Sequence, residues 1–213
     1  MSEQPDHYFT ARPASSDERR ALTVRLAGRD VEVETAGGIF SPGRVDLGTQ
    51  VLLRTVPGLP DHSTDVLDLG CGWGPVALSM ALEHTDGGRP APRVWAVDVN
   101  ERSLDLVRRN AARLGLERVS AHLPDDVPDD VRFDVIWSNP PIRVGKQALH
   151  ELLTRWLPRL RPGGEAWLVV QRNLGADSLQ AWLGDWLADH QPGATVERTA
   201  SAKGFRVLRV RQR

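Results

Sequence analysis

The sequence predicts an α/β protein with a mostly parallel sheet and a small β appendage in front of it. Three observations predict it. From residue 62 onward, short apolar runs alternate with amphipathic helical stripes, the pattern that repeated β-α-β units leave in a sequence. The end of the chain, "TVERTASAKGFRVLRVRQR", alternates with period two around a turn, which predicts an antiparallel pair closing the sheet. Near the front, "ALTVRLAGRDVEVET" alternates in the same way about "AGRD", a hairpin turn.

In chain order, residues 1–61 form the appendage and residues 62–213 the main domain, packed as one unit. After the hairpin, "DLGTQVLLR" predicts a helix with Asp46 near its start, and "VPGLPDHS" is the connection into the sheet. The strands fall on "DVLDLG", "RVWAVDV", "RVSAHL", "RFDVIWSN" and "EAWLVVQ". Between them, Leu104, Val107, Ala111 and Leu114 recur at helical spacing, as do Leu149, Leu152, Leu153, Trp156, Leu157 and Leu160. A third stripe is Leu179, Trp182, Leu183, Trp186 and Leu187. The tryptophans on these strands and stripes are expected in the core, and the acidic "PDDVPDD" in a solvated loop.

At 213 residues and 40% hydrophobic, the chain can bury one sizeable core. No apolar run approaches the roughly 18 residues that span a bilayer, and "MSEQPDHYFT" lacks the apolar stretch of a signal peptide. A cytoplasmic protein without a membrane partner is expected. Cys71 is the only cysteine, which excludes an intrachain disulfide, and the six histidines show no metal-ligand spacing, so no metal is expected. A net charge of -1 is not the basic footprint of a protein held to nucleic acid mainly through phosphates. Any nucleic-acid role must rest on a local patch.

Chemistry concentrates at three strand ends. "VLDLGCGWGP" runs a hydrophobic strand into Gly70, Gly72 and Gly74, where the backbone can turn sharply and approach a ligand ahead of a helix N-terminus. The next strand ends at Asp98, whose carboxylate can accept hydrogen bonds from two ribose hydroxyls, while Asn100 caps the following helix. The pair predicts a nucleoside-containing cofactor. The dinucleotide fingerprint is G-x-G-x-x-G, and here the third glycine comes one residue early and is followed by Pro75, which disfavours nicotinamide binding.

With "LDLGCGWG" and Asp98 in place, the sequence resembles the class I methyltransferases that use S-adenosylmethionine. That resemblance implies a Rossmann-like fold, with a seven-stranded sheet and helices on both faces. It also implies Asp68, Gly70, Cys71, Gly72 and Gly74 around the cofactor's methionine moiety, Asp98 with the adjoining Val99 at the ribose, and Asp125 at the adenine. The third strand end, "SNPPIRVGK", then acquires a purpose. Prolines cannot continue a central strand, and ligands of open parallel sheets lie beyond the C-terminal strand ends. Asn139 is therefore expected beside the reactive methyl. Its side-chain oxygen and the Pro140 carbonyl can each accept one N–H bond and aim a nitrogen lone pair at the methyl. Cys71 has no activating histidine in sight and is expected to be only a small residue that fits.

More widely, "HYFTARP", "GGIFSPGRVDLGTQVLL", "DVNERSL", "NPPIRVGK", "VVQRNLGADSL" and "KGFRVLRV" resemble segments of the small-subunit ribosomal RNA guanine-N2 methyltransferase family, from about His7 to Val210. Larger members carry a further N-terminal domain. The resemblance implies ribosomal RNA, or a ribosomal subunit assembly intermediate, as partner. Pro141, Ile142, Arg143, Lys146, Gln171 and Lys203 are the expected substrate contacts; the residue at 142 is usually aromatic in nitrogen methyltransferases and is isoleucine here. Phe40 either covers the cofactor or packs into the core, and Arg206, Arg209, Arg211 and Arg213 add positive charge near the end. Two other readings remain open at this level. One is an N-methyltransferase acting on protein glutamine or adenine; the other is a non-catalytic cofactor-sensing RNA-binding module.

Overall fold

The computed structural model describes residues 18–84 and 91–213, so the "HYFTARP" segment lies outside the described residues. The described residues begin with an antiparallel hairpin, β1 (Arg19–Leu26) and β2 (Arg29–Ala36). Its two turn residues, Ala27 and Gly28, both have positive φ, 45° and 77°, the primed turn whose twist matches that of the strands. Asp46 then caps helix α1 (Leu47–Thr55) by accepting from the Gly48 and Thr49 amides.

The main sheet is laid down as β3 (Asp65–Leu69), α2 (Pro75–Leu82), β4 (Arg93–Val97), α3 (Glu101–Arg113), β5 (Val119–His122), β6 (Phe133–Ser138), α4 (Lys146–Trp156), β7 (Leu160–Gln171), α5 (Ala176–His190), β8 (Thr195–Ala202) and β9 (Phe205–Arg211). Spatially the seven strands run β5-β4-β3-β6-β7-β9-β8. The first five are parallel, while β9 is antiparallel to both β7 and β8. The chain builds outward from β3 through β4 to β5, then returns to place β6 on the other side of β3. The strand order reverses there, and beyond the C-terminal ends of these strands a crevice opens.

Alternation along the buried strands feeds two cores. Val66, Val94, Ala96, Trp137, Trp167 and Val169 pack with α1, α2, α3 and the hairpin on one face; Leu67, Leu69, Ile136, Leu168 and Val170 pack with α4 and α5 on the other. Helix α2, "PVALSMAL", has no polar side and is buried all round. It needs cover beyond the sheet, and the hairpin together with α1 and α3 supplies it. Asn110 on α3 fastens the hairpin by exchanging two hydrogen bonds with the Glu34 backbone and giving a third to the Trp73 carbonyl.

Two details differ from the sequence expectation. The leucine stripe of α4 stops at Trp156; Leu157–Arg159 form a 3-10 turn and Leu160 opens β7. Pro158 accounts for this, since it offers no amide and its ring obstructs the carbonyl four residues back. Strand β7 in turn extends through Gly163 and Gly164, and a Cβ on Gly164 would lie 2.9 to 3.1 Å from three carbonyl oxygens. Trp182 and Trp186 are only half-buried. Their rings stack in a ladder with His150 and His190 along α4 and α5. Among the described residues, no helix is long and apolar enough to cross a membrane.

Candidate active site

The glycine loop is stitched to its neighbour before any ligand arrives. Gly70 and Cys71 both donate their amides to the Val97 carbonyl at 2.8 and 3.0 Å, and Gly72 donates to Asp98 Oδ2 at 2.9 Å. Gly70 and Gly72 have φ of 77° and 54°, which side-chain-bearing residues rarely adopt. Gly74 serves a different purpose from the other two: a Cβ there would meet Val107 Cγ2 at 3.1 Å, so its absence lets α2 start against α3. It does not line the cleft.

Asp98 Oδ1 accepts from the Asn100 amide at 2.9 Å. Burial pushes the Asp98 carboxyl upward, and the amide bonds from Asn100, Gly72 and Val99 pull it part of the way back. Behind it Asp68 is fully buried and accepts from the Ala77 amide at 2.8 Å. Loss of water pushes its carboxyl up to about 8 against that bond, and repulsion from Asp98 adds to the rise. The buried Cys71 thiol is pushed up as well, by desolvation and then by the two carboxylates, and no histidine lines the chambers around it. That is the opposite of an activated thiol.

At the end of β6, the Ser138 hydroxyl donates to the Leu69 carbonyl at 2.7 Å and binds the strand end to the glycine loop. Asn139 follows. Its Nδ2 donates to Asp46 Oδ2 at 3.0 Å and Thr49 Oγ1 at 3.1 Å, which leaves Oδ1 without a partner among the described residues, on the cleft side. The Pro140 carbonyl accepts from the Ile142 amide at 2.9 Å across Pro141, whose φ of -74° and ψ of 76° define an inverse γ-turn. One lone pair of that rigid carbonyl stays available. The Asn139 carbonyl oxygen and Pro141 Cδ each lie 3.9 Å from where a Cβ on Gly70 would sit, so the two strand ends meet across that glycine.

These elements enclose an open cleft of about 1070 Å³, mouth included, lined among others by Phe40, Asp46, Gly70, Gly72, Asp98, Val99, Asn139, Pro140, Pro141, Ile142, Gln171 and Phe205. Asp68 and Cys71 face a smaller adjoining chamber. Ile39 takes the core position beside the hairpin while Phe40 is 40% exposed at the cleft wall, so Phe40 does not pack into the core. Its segment is strapped down by Asn100 Nδ2 on the Gly38 carbonyl and Trp73 Nε1 on the Ser41 carbonyl.

Other expected residues stand apart. Asp125 is 90% exposed in its side chain and pairs with Arg155 at 2.8 Å, while Pro124 lines the cleft in its stead. Lys146 and Lys203 are exposed and outside the lining; the Arg143 side chain is outside the described atoms. Lys203 occupies the β8–β9 turn at φ 49°, next to Gly204, whose carbonyl accepts from the Arg172 amide at 2.8 Å and so anchors the turn to the end of β7. Arg206, Arg209 and Arg211 form ion pairs with Asp177, Glu197 and Glu165. The sequence reading did not place Asp46, Thr49 or Phe205 at the site. Asp46 and Thr49 have the spacing of an ordinary helix cap, and nothing local links them to an asparagine about 90 residues away.

A seven-stranded sheet of this order, a glycine loop stitched to an acidic strand end and an Asn-Pro-Pro turn facing the same cleft define a class I, S-adenosylmethionine-dependent methyltransferase. Residues 30–209 match the methyltransferase small domain family, and the chain belongs to it. It is 32% identical to the uncharacterized protein YbxB of Bacillus subtilis (strain 168), over 81% of this chain and 85% of that one. It is 33% identical to ribosomal RNA small subunit methyltransferase C of Pseudomonas entomophila (strain L48), over 96% of this chain and 58% of the relative. Among solved structures, T. thermophilus 16S rRNA N2 methyltransferase RsmC, in complex with AdoMet and guanosine, superposes with a TM-score of 0.75 at 25% identity, covering 92% of this chain and 51% of that one. The chain thus spans about half the length of these ribosomal RNA methyltransferases and most of YbxB.

Proposed function

We propose that this enzyme methylates the exocyclic N2 amine of a guanine in small-subunit ribosomal RNA. The likeness to relatives named for small-subunit RNA methylation supports the substrate. The observation that carries the chemistry is the Asn139 side chain, whose nitrogen is spoken for and whose oxygen is open to the cleft.

The residues present fit the nucleoside cofactor. A Cβ on Gly72 would meet nothing within 4 Å, so the loop leaves open room for a ligand against its backbone. Asp98, whose two oxygens each accept one amide, from Gly72 and Asn100 at 2.9 Å, retains lone pairs for ribose hydroxyls. When bound there, S-adenosylmethionine supplies a methyl group already activated by a sulfonium. What remains for the protein is to prepare the acceptor. A guanine amine is a poor nucleophile because its lone pair is delocalised into the ring. Hydrogen bonds from its two N–H groups to Asn139 Oδ1 and the Pro140 carbonyl localise that pair, and both acceptors stabilise positive charge growing on the nitrogen. Orientation of this kind contributes as much as about 7 to 11 kcal/mol in favourable cases. An alkylated amine of this type is strongly acidic and gives its proton to water, so no buried base is needed.

Ile142 brings apolar surface but no π face. Phe205 lines the same cleft from the start of β9 and supplies the ring on which the target base stacks. The base must be unstacked or flipped to enter. Arg172, Lys146 and Lys203 are exposed, and on this reading they meet the flanking phosphates. The test is transfer of tritiated methyl groups to total RNA from cells lacking this protein, followed by nucleoside analysis. N2-methylguanosine is expected. Label in another nucleoside or in protein rejects the guanine assignment.

A further inference from the structure

An asparagine in a cleft has two nearly isosteric orientations, one offering its oxygen and the other its NH2 group. Only the first accepts a hydrogen bond from an amine. From the geometry we infer that Asp46 and Thr49 are positioning residues that lock Asn139 in the accepting orientation, an inference that rests on the reading of Asn139 as the amine's acceptor. Asn139 Nδ2 reaches Asp46 Oδ2 at 3.0 Å and Thr49 Oγ1 at 3.1 Å. A carboxylate only accepts, so the reversed amide would set oxygen against oxygen at Asp46 and lose that bond, while the Thr49 hydroxyl, able to donate or accept, holds the side chain in place in either case.

The lock cannot swing away. Asp46 Oδ2 is held by the Gly48 amide at 2.8 Å and the Thr49 amide at 3.4 Å, as the cap of α1. Thr49 is 4% exposed, which keeps water from competing for its hydroxyl. Gly48 makes the approach possible: a Cβ there would lie 3.0 Å from Asp46 Oδ2 and 3.3 Å from Asn139 Oδ1. One residue therefore both starts the helix and sets which face of a distant amide the substrate meets.

Three substitutions separate the cap from the lock. Asp46→Asn keeps an oxygen for all three N–H donors and is expected to hold kcat within about threefold of the parent. Asp46→Ser caps helices comparably, so the melting temperature is kept, but its shorter side chain falls short of Nδ2. Its kcat is expected to drop about 10- to 100-fold, below the loss of roughly 100- to 1000-fold that follows removal of a preorganised polar group outright. The RNA KM and the affinity for S-adenosylhomocysteine stay unchanged. Asp46→Ala loses both cap and lock. A Ser variant that turns over like the parent, or whose loss lies in KM, overturns the inference.

A second measurement is independent of the acceptor. In the ligand-free protein, the Asn139 side-chain NH2 protons, assigned by their loss in Asn139→Asp, should exchange with water more slowly than in Asp46→Ser or Thr49→Val. Equal exchange in all three overturns the lock. Slow exchange in a parent enzyme that leaves guanine unmethylated removes the substrate reading and leaves the lock standing.

Discussion

Asp68 makes the empty enzyme lose stability as pH rises. Its carboxyl is fully buried and pushed from an ordinary 3.8 up to about 8, chiefly by desolvation. The folded state therefore holds a proton that the unfolded state releases. Stability from this group is complete below the unfolded pKa and is lost as pH rises through the folded one. Each pH unit inside that window is worth about 1.4 kcal/mol. Between pH 5 and 9 the loss comes to about 4 kcal/mol, which for a chain of this size moves the melting temperature by roughly 10 °C. Asp68→Asn stays neutral throughout and keeps an acceptor for the Ala77 amide. Thermal melts of the two ligand-free proteins, taken across that range, should show a gap that widens steadily from pH 5 toward pH 8, the variant being the more stable. Above pH 8 the gap should level off. Parallel curves would refute the argument, because the other titrating groups are common to both proteins.

Other consequences concern the cleft and the opposite end of the sheet. Asn139→Ala should lower kcat about 100- to 1000-fold while S-adenosylhomocysteine binding, read by calorimetry, changes little. Phe205→Leu should raise the RNA KM about 5- to 150-fold if the ring stacks on the base, with partial recovery on adding Ile142→Phe; an unchanged KM removes Phe205 from the substrate contacts. Gly48→Ala improves helix propensity by up to about 1 kcal/mol, yet its Cβ would meet Phe205 Cε1 at 2.9 Å and Asp46 Oδ2 at 3.0 Å, so activity should fall at least tenfold with little change in melting. At the far end of the strands, the buried Asp65 accepts from Arg93, Trp95 and Arg161. Asp65→Ala should cost about 1 to 3 kcal/mol in a urea titration, since Arg93 and Arg161 can reach water but the Trp95 indole loses its acceptor, and leave kcat of the folded fraction intact.

What could be read from the sequence was what chain-local physics writes there. Periodicity marked each strand of the main sheet, and glycines at Gly70 and Gly72 marked a backbone that must turn sharply. That Asp98 and Asn139 share one cleft was legible because parallel strands send their C-terminal ends to one crevice. Pro158 was visible too, but a leucine stripe that continues through Leu160 hid its effect. The rest depends on partners distant in sequence. Asp46 has the signature of a cap and gives no sign of Asn139; Arg206, Arg209 and Arg211 look like free cations until their acidic partners are placed beside them. The ion pair of Asp125 with Arg155 on α4 is likewise invisible in the sequence. Helical spacing predicted burial for Trp182 and Trp186, and two histidines instead cover them in part.

The central claim is that an amide oxygen and a prolyl carbonyl oxygen receive the two hydrogens of the acceptor amine. A crystal structure with S-adenosylhomocysteine and a short guanine-containing RNA measures it directly. The account predicts the guanine N2 about 2.9 Å from both Asn139 Oδ1 and the Pro140 oxygen, with Nδ2 still on Asp46. A guanine amine directed elsewhere, or an Asn139 side chain turned to present its nitrogen, would contradict it.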